Sequence, residues 1–323
     1  MSFSNSLRVI ALASAAVVLP AQESTRIAGP TSGLVYDAPS RALRVVMGVP
    51  GAAYLGGALA ADLDGGSVSP NGRFALTIAD GALNLVSLAD QTMIAVGSAG
   101  CAAPGSAALA WSADSSLVAL GCAEGARMFR IAGGAAERLP LAAVDGVTSL
   151  AVDAAGVAVF ATRADGIYRI DAESARLLAA VENAAGLVLA GADTLYAVDR
   201  AGKRVLAVDH LATSAALRQV AGEAQGLVEP VAVGVSADGQ QLFVAEAGEG
   251  SRAVRVFNTA TLEMQARVEL DFDPARVEAL GNGLYLLNAR KDAGDTMHVL
   301  DARQMSVYFV PAQDLGSVAN LED

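Results

Sequence analysis

Two alternating carboxylate pairs are the residues of this chain best suited to hold a metal ion. They are Asp62-Leu63-Asp64, which precedes Gly65-Gly66, and Asp271-Phe272-Asp273. Carboxylates two residues apart beside a tight turn suit the hard cation Ca²⁺, which takes oxygen ligands. Neither pair continues into a twelve-residue calcium loop with a terminal Glu. We therefore expect solvated turns here, and we predict no metal site and no cofactor.

The residues needed for nucleophilic or acid–base catalysis are sparse. His210 and His298 are the only histidines, and neither lies at zinc-ligand spacing from a cysteine or a carboxylate pair. The sequence has no Gly-x-Ser-x-Gly elbow and no Gly-rich phosphate loop that ends in Lys-Ser or Lys-Thr. No catalytic residue is predicted, and enzymatic activity stays an open alternative that these patterns disfavour.

Charge and composition limit the partners of the chain. Its 323 residues carry 22 Lys and Arg against 34 Asp and Glu, a net charge of −12. A nucleic-acid binder needs a basic patch that displaces counterions from phosphates, so nucleic acid is excluded as a partner. The hydrophobic fraction of 53% and the charged fraction of 17% predict an ordered chain with a large core.

The N-terminus has the pattern of a secretory signal peptide. Arg8 is followed by an apolar run over residues 9–19, and then by Pro20-Ala21-Gln22. The run is too short to span a bilayer, and no later apolar run is long enough. We predict a signal peptide over residues 1–22, a mature chain with no membrane span, and a secreted or periplasmic location.

A turn motif that recurs about every 41–43 residues indicates the fold. Its copies are Ser69-Pro70-Asn71-Gly72, Ser112-Ala113-Asp114-Ser115, Asp153-Ala154-Ala155-Gly156 and, two periods on, Ser236-Ala237-Asp238-Gly239. Each copy precedes a short run in which apolar residues alternate, which is typical of a strand. Four strands fit in each period, which predicts an all-β, seven-bladed β-propeller of four-stranded antiparallel blades. Six or eight blades are the alternatives.

In such a blade, the loop between the second and third strands lies on the same face as the connector to the next blade. Both carboxylate pairs and the two longest loops, residues 246–253 and 289–296, fall on this face. Long loops on a rigid scaffold commonly carry binding residues. The candidate binding residues are Asp64, Glu246, Arg252, Asp271, Asp273, Arg290, Lys291 and Asp292.

Two further predictions concern links within the fold. Cys101 and Cys122 fall at the same end of one predicted hairpin, and an exported chain meets oxidising conditions, so we predict a disulfide between them. Residues 24–28, 33–37 and 42–48 supply only three strands for the first blade. Residues 314–320 repeat the pattern of residues 64–71, so we predict that residues 316–320 close a single domain, 23–323, as the innermost strand of the first blade.

One predicted blade resembles a known repeat family. Residues 233–262 contain Val-Ser-Ala-Asp-Gly, then Leu242-Phe243-Val244-Ala245, then Val-Arg-Val-Phe-Asn-Thr-Ala-Thr from Val254. This blade resembles the YVTN-type repeat of bacterial and archaeal extracytoplasmic propellers, and Ser69-Pro70-Asn71-Gly72 matches the same family's turn. The resemblance implies a seven-bladed propeller and allows a lactonase-like hydrolase.

The leading hypothesis is a secreted, non-enzymatic propeller, monomeric, that binds a protein or a glycan through one loop face. The alternatives are a lactonase-like hydrolase and a structural envelope component. A hydrolase should carry ionisable residues on its innermost strands. The predicted innermost segments are almost wholly apolar or small, apart from Arg276 and Glu278 in the last one.

Overall fold

The computed structural model of the chain describes residues 30–103, 107–153 and 158–311. Within these ranges it has 27 strands in seven antiparallel sheets and one short 3-10 turn, Glu223–Gln225. Six sheets have four strands, and the first has three. The chain is an all-β, seven-bladed propeller, as the repeat period predicts. Among the described residues, no helix has the length and apolar character needed to cross a membrane.

The strands follow the chain blade by blade. Blades 1 to 3 contain β1 (Thr31–Asp37), β2 (Ala42–Met47), β3 (Tyr54–Ala60), β4 (Gly65–Val68), β5 (Phe74–Ala79), β6 (Ala82–Ser87), β7 (Met93–Ser98), β8 (Ala108–Trp111), β9 (Leu117–Cys122), β10 (Gly125–Ala132) and β11 (Ala135–Leu139). Blades 4 and 5 contain β12 (Ser149–Val152), β13 (Val159–Arg163), β14 (Gly166–Ile170), β15 (Ala175–Ala179), β16 (Ala184–Ala190), β17 (Thr194–Asp199), β18 (Arg204–Asp209) and β19 (Ala216–Ala221). Blades 6 and 7 contain β20 (Pro230–Val235), β21 (Gln241–Glu246), β22 (Ala253–Asn258), β23 (Met264–Glu269), β24 (Glu278–Gly281), β25 (Leu284–Asn288), β26 (Met297–Asp301) and β27 (Ser306–Val310).

The hydrophobic core is divided among the contacts between neighbouring blades. Seven apolar clusters are present, and each lies between two consecutive blades. The cluster between blades 7 and 1 packs Val35 and Leu55 against Leu284 and Val299. Because this cluster joins the last blade to the first, the seven sheets form a closed ring.

The period of two along each central strand explains why every blade packs on both sides. In β21, Leu242 and Val244 belong to the cluster shared with blade 5, whereas Phe243 belongs to the cluster shared with blade 7. All three side chains are fully buried. Successive side chains point to opposite faces of a sheet, so a central strand of a blade must be apolar at consecutive positions.

The turn motif is a local hydrogen-bonded unit. Ser112 donates its hydroxyl to Asp114 Oδ1 at 2.6 Å, and the Ser116 amide donates to the same oxygen at 3.1 Å. Ser236 and Asp238 repeat the first bond at 2.5 Å. These bonds, led by the serine hydroxyl, hold the pKa of both aspartates below the usual range. The motif therefore serves the turn that joins the first and second strands.

The first strand of the first sheet, β1, occupies the position that the second strand holds in the other blades. Leu63, which precedes the innermost strand β4, donates its amide to Arg41 O in the β1–β2 turn at 2.8 Å. One blade later, Ala99 precedes β8 and donates to Gly81 O, between the second and third strands of blade 2, at 2.9 Å. By this equivalence β1 holds the place of a second strand. Within the described residues, no strand pairs with its inner edge.

Strand positions in the first blade differ from those expected. The expected strands 33–37 and 42–48 correspond to β1 and β2, but the outermost strand is β3, which the sequence pattern does not predict. Gly56-Gly57 interrupts the apolar alternation of β3, which removes the pattern that marks a strand. The expected strand 24–28 and the closing strand 316–320 both lie outside the described residues.

Candidate binding face

Loops from blades 6 and 7 meet on the face that the strand order predicts. Arg252 follows the second strand of blade 6, and Asp273 lies in the connector to blade 7. Arg252 Nε and Nη2 donate to Asp273 Oδ1 and Oδ2 at 2.8 and 3.2 Å. The Gly248 amide donates to Asp273 Oδ1 at 3.0 Å. The Arg252 side chain, followed by the Gly248 amide, lowers the pKa of Asp273, and Asp273 in turn raises the pKa of Arg252.

Three further charges, those of Lys291, Glu249 and Asp271, lie within electrostatic reach of this pair. The Lys291 ammonium adds a smaller contribution to the lowered pKa of Asp273. The Asp271 carboxylate likewise contributes to the raised pKa of Arg252. Asp271, Asp273 and Lys291 are exposed, and Arg252 is half-buried. We call these four residues the 6–7 cluster, and it presents charges of both signs to solvent.

The loop that carries Lys291 is held by one carboxylate. The backbone amides of Lys291 and Asp292 both donate to Asp295 Oδ2 at 3.0 Å. These two bonds are the main cause of the lowered pKa of Asp295. The loop is thereby fixed in place, while the side chains of Lys291 and Asp292 remain exposed.

Glu246, a candidate binding residue, is fully buried. It is the last residue of β21, and its carboxylate accepts hydrogen bonds from the Arg255 guanidinium and, at 2.7 Å, from the Val228 amide. Arg255 also donates to Gly226 O at 2.6 Å. Glu246 therefore fixes the connector from blade 5 and is inaccessible to a partner.

Arg290, another candidate, is buried at the junction of blades 7 and 1. Its Nη1 donates to Asp37 Oδ1 and Oδ2 at 3.3 and 3.2 Å. Arg44 Nη1 lies 3.6 Å from Asp37 Oδ2 on the same carboxylate. Arg290 also donates to Asp295 O at 3.0 Å and to Ala293 O at 2.5 Å. We call Arg44, Asp37 and Arg290 the closure triad, and its role is to join the two blades.

Asp64 lies in a separate contact of blades 1 and 2. It accepts from Arg41 Nη2 at 2.8 Å and from the Asp80 amide at 2.8 Å. Both carboxylate oxygens are thus engaged by donors. Both carboxylate oxygens of Asp273 are likewise engaged by donors.

Cys101 and Cys122 form a disulfide with Cα atoms 5.8 Å apart. It joins the connector between blades 2 and 3 to the end of β9. In the described part of the chain, only one set of three His, Cys, Asp or Glu side chains could converge on a metal ion. It consists of Cys101, Cys122 and Glu124. Because both sulfurs are bonded to each other, they are not available as thiolate ligands.

The histidines and the innermost strands offer little for catalysis within the described ranges. His298 stacks on Phe272 with ring centroids 3.7 Å apart, and burial lowers its pKa. His210 contacts Asp193 at 3.1 Å in an exposed pair. Glu278 is the only ionisable residue in the six innermost strands, and it pairs with Arg276 at 3.1 Å.

Glu246 belongs to a series of buried acidic residues at equivalent positions in three blades, a series that the sequence pattern did not reveal. Asp37, Asp199 and Glu246 each end a second strand. Each pairs with an arginine among the first three residues of the following strand. All three acids are buried. Aligning the last residues of the second strands would have identified Glu246 as a member of this series.

Comparisons with known proteins place the chain by its fold. No protein-family model and no curated protein matches it. A chain in the crystal structure of a Nidogen/Laminin complex is 17% identical, with a TM-score of 0.53, and the match covers 72% of this chain and 90% of that one. The β-propeller domain of Myceliophteria thermophila Cps50 (Swd1) is 12% identical, with a TM-score of 0.60, over 78% of this chain and 87% of that domain. At these identities the similarity shows a shared β-propeller fold.

Proposed function

We propose that this chain is a secreted or periplasmic, non-enzymatic scaffold that binds a protein or a glycan through the 6–7 cluster. The observation that carries the proposal is the cluster itself: Arg252, Asp271, Asp273 and Lys291 are exposed or half-buried on loops of a rigid ring. Loops on rigid scaffolds are favoured places for binding residues.

The chemistry of the cluster favours a polar ligand. The Arg252–Asp273 pair holds its own geometry through two hydrogen bonds and the Gly248 amide. A pre-organised pair loses little side-chain entropy when a ligand binds. Within the described residues, the Lys291 ammonium and the Asp271 carboxylate make no hydrogen bond, so both groups are free for a ligand. Hydroxyl groups of a glycan, or side chains of both charges on a protein, would complement this arrangement.

Two observations support a location outside the cytoplasm. The Cys101–Cys122 disulfide is the kind of bond that persists in oxidising compartments. The sequence of residues 1–22 also has the pattern of a signal peptide. A YVTN-type family membership, suggested by residues 233–262, would agree with that location.

The test compares two purified variants with the wild-type chain. Arg252→Gln and Lys291→Gln together remove both cations of the 6–7 cluster, and Arg303→Gln on the opposite face is the matched control. Binding to a glycan array and to proteins of the native envelope is measured for all three chains. We expect the double variant to lose the binding that the wild-type chain and the control retain. Equal binding by all three chains would refute the role of this cluster.

The lactonase-like alternative is tested separately on a panel of lactones. Glu278 is the residue to substitute, because it is the ionisable residue of the described innermost strands. Turnover by the wild-type chain that Glu278→Gln abolishes would overturn the non-enzymatic proposal.

A further inference from the structure

A groove runs between blades 2 and 3, away from the 6–7 cluster. It has a volume of about 230 Å³. Leu83, Val96 and Ser98 line it from blade 2, and Arg127, Phe129 and Arg138 line it from blade 3. Its floor is apolar, because Leu83 and Phe129 belong to the buried cluster between these blades. Two guanidinium groups therefore stand over a hydrophobic surface.

The strand register places both arginines on the same side of blade 3. Arg127 and Phe129 are two residues apart on β10, so their side chains share one face of the sheet. Phe129 pairs directly with Arg138 of β11, which therefore lies on that face too. This face points toward blade 2, as the shared cluster shows.

Neither arginine has an acidic partner among the described residues. The acid next to Arg138 is Glu137, which points to the other face and pairs there with Arg130 at 3.6 Å. Within the described ranges, the Arg127 side chain donates only to the Ser98 carbonyl, at 3.3 Å. Two arginines without a carboxylate in one groove stand out in a chain with a net charge of −12.

The disulfide connector lies beside one of the two groove arginines, Arg127. The guanidinium of Arg127 lies close to Gly100. Gly100 also has a positive φ of 59°, which favours glycine. The neighbouring Cys101 is bonded to Cys122 at the end of β9. Arg127 therefore lies next to a connector that is covalently bonded to its own blade.

Among the described strands, the outer strand beside the groove, β7, is a sheet edge with no further strand paired to it. The outer strands of blades 3 to 6 each carry an arginine, whereas β7 reads Met-Ile-Ala-Val-Gly-Ser and, like β3 and β27, carries no charge. Met93 and Ile94 are 50% and 45% exposed. Charged side chains on an edge strand oppose pairing with other chains, and an uncharged apolar edge is a template for it.

We propose that the groove binds an acidic side chain of an extended, otherwise uncharged segment of a partner protein, which pairs with the free edge of β7. The two guanidiniums neutralise the carboxylate, and the edge supplies backbone hydrogen bonds, the mode of strand addition. Whole small-molecule ligands usually occupy about 300–1,000 Å³. A groove of about 230 Å³ fits one or two side chains instead. This site is independent of the proposed function of the 6–7 cluster.

The probe is a blocked hexapeptide, Val-Thr-Val-Glu-Val-Thr, and its counterpart with Gln in place of Glu. Their dissociation constants for the full chain are measured by calorimetric titration, and amide shifts of residues 93–98 are followed by NMR. We expect the Glu peptide to bind about tenfold more tightly than the Gln peptide, because a charge-assisted bond to a guanidinium is lost with the carboxylate.

Two matched variants identify the arginines. Arg138→Gln should abolish the preference for Glu, and its exposed side chain has no partner within the described residues whose loss would unfold the chain. Arg130→Gln, which lies on the opposite face of the same blade, should leave the preference unchanged. Equal affinities for the two peptides, no binding of either, or an equal effect of both variants would overturn the proposal. Arg252→Gln should not alter peptide binding, so failure here leaves the proposed function of the 6–7 cluster standing.

Discussion

The substitution Asp37→Asn should be among the most destabilising single changes in this chain. Asp37 is fully buried in the closure triad, where its carboxylate faces Arg290 and Arg44 and accepts the Ser40 hydroxyl at 2.5 Å. Asparagine keeps the shape but removes the negative charge. Its amide group also turns donors toward two arginines that can only donate.

The size of the effect follows from the burial of both arginines. Arg44 and Arg290 are 9% and 5% exposed, so the substitution leaves two cations in a site with little solvent. Breaking a buried ion pair from one side costs about 3–5 kcal/mol. For a large domain, 1 kcal/mol shifts the melting temperature by about 2–4 °C. We therefore expect Asp37→Asn to lower the melting temperature by between about 6 and 20 °C.

Two companion variants isolate the cause. Arg290→Met leaves Arg44 and Asp37 as a neutral pair, so it should destabilise less than Asp37→Asn. Asp64→Asn removes a carboxylate from a partly exposed pair with Arg41, worth about 0–1 kcal/mol. Melting is followed by circular dichroism, with amide exchange in β1 and β26. A melting temperature for Asp37→Asn within about 2 °C of wild type would refute the reasoning, as would an equal effect of Asp64→Asn.

Three further outcomes are expected. Replacing Cys101 and Cys122 by serine opens a loop of 21 residues and should lower the free energy of unfolding by about 3 kcal/mol, as measured by urea denaturation. Deletion of residues 313–323, which include our proposed closing strand, should lower stability by roughly 1–2 kcal/mol and the melting temperature by several degrees; an unchanged melting temperature would contradict a closing strand. Because Arg252 lowers the pKa of Asp273, their pairing should stabilise the fold above the ordinary carboxyl pKa and weaken as the pH falls through the lowered value. In Arg252→Gln, NMR titration should find the Asp273 pKa closer to its ordinary value, and an unchanged pKa would contradict this assignment.

Much of the fold follows from local sequence. The turn motif predicts the boundary between first and second strands, because serine and aspartate bond within the turn itself. The second strands are apolar at consecutive positions, since both faces of a blade are covered. These signals need no knowledge of other blades. Where they fail, as at Gly56-Gly57 of β3, the strand is held by pairing with β2 and not by its own pattern.

The candidate site was harder to predict because burial depends on distant residues. Counting strands predicts that Arg252, Asp273 and Lys291 share one face, and the structure pairs the first two through hydrogen bonds. Arg290 sits in an equally charged loop, yet its guanidinium is covered because Asp37 comes from the other end of the chain. The groove with Arg127 and Arg138 was missed, since it requires the register of β10 and β11.

The separation of Asp37 and Arg290 by 253 positions bears on how the protein is made. Closing a loop of that length costs about 2 kcal/mol more entropy than closing one of 20 residues. A ribosome adds about 5–20 residues per second, so blade 1 leaves it tens of seconds before its partner surface on blade 7 exists. During that interval Val35 and Leu55 lack their apolar neighbours. The contact between blades 7 and 1 should be the last part of the ring to assemble and the place where a nascent chain most needs a chaperone.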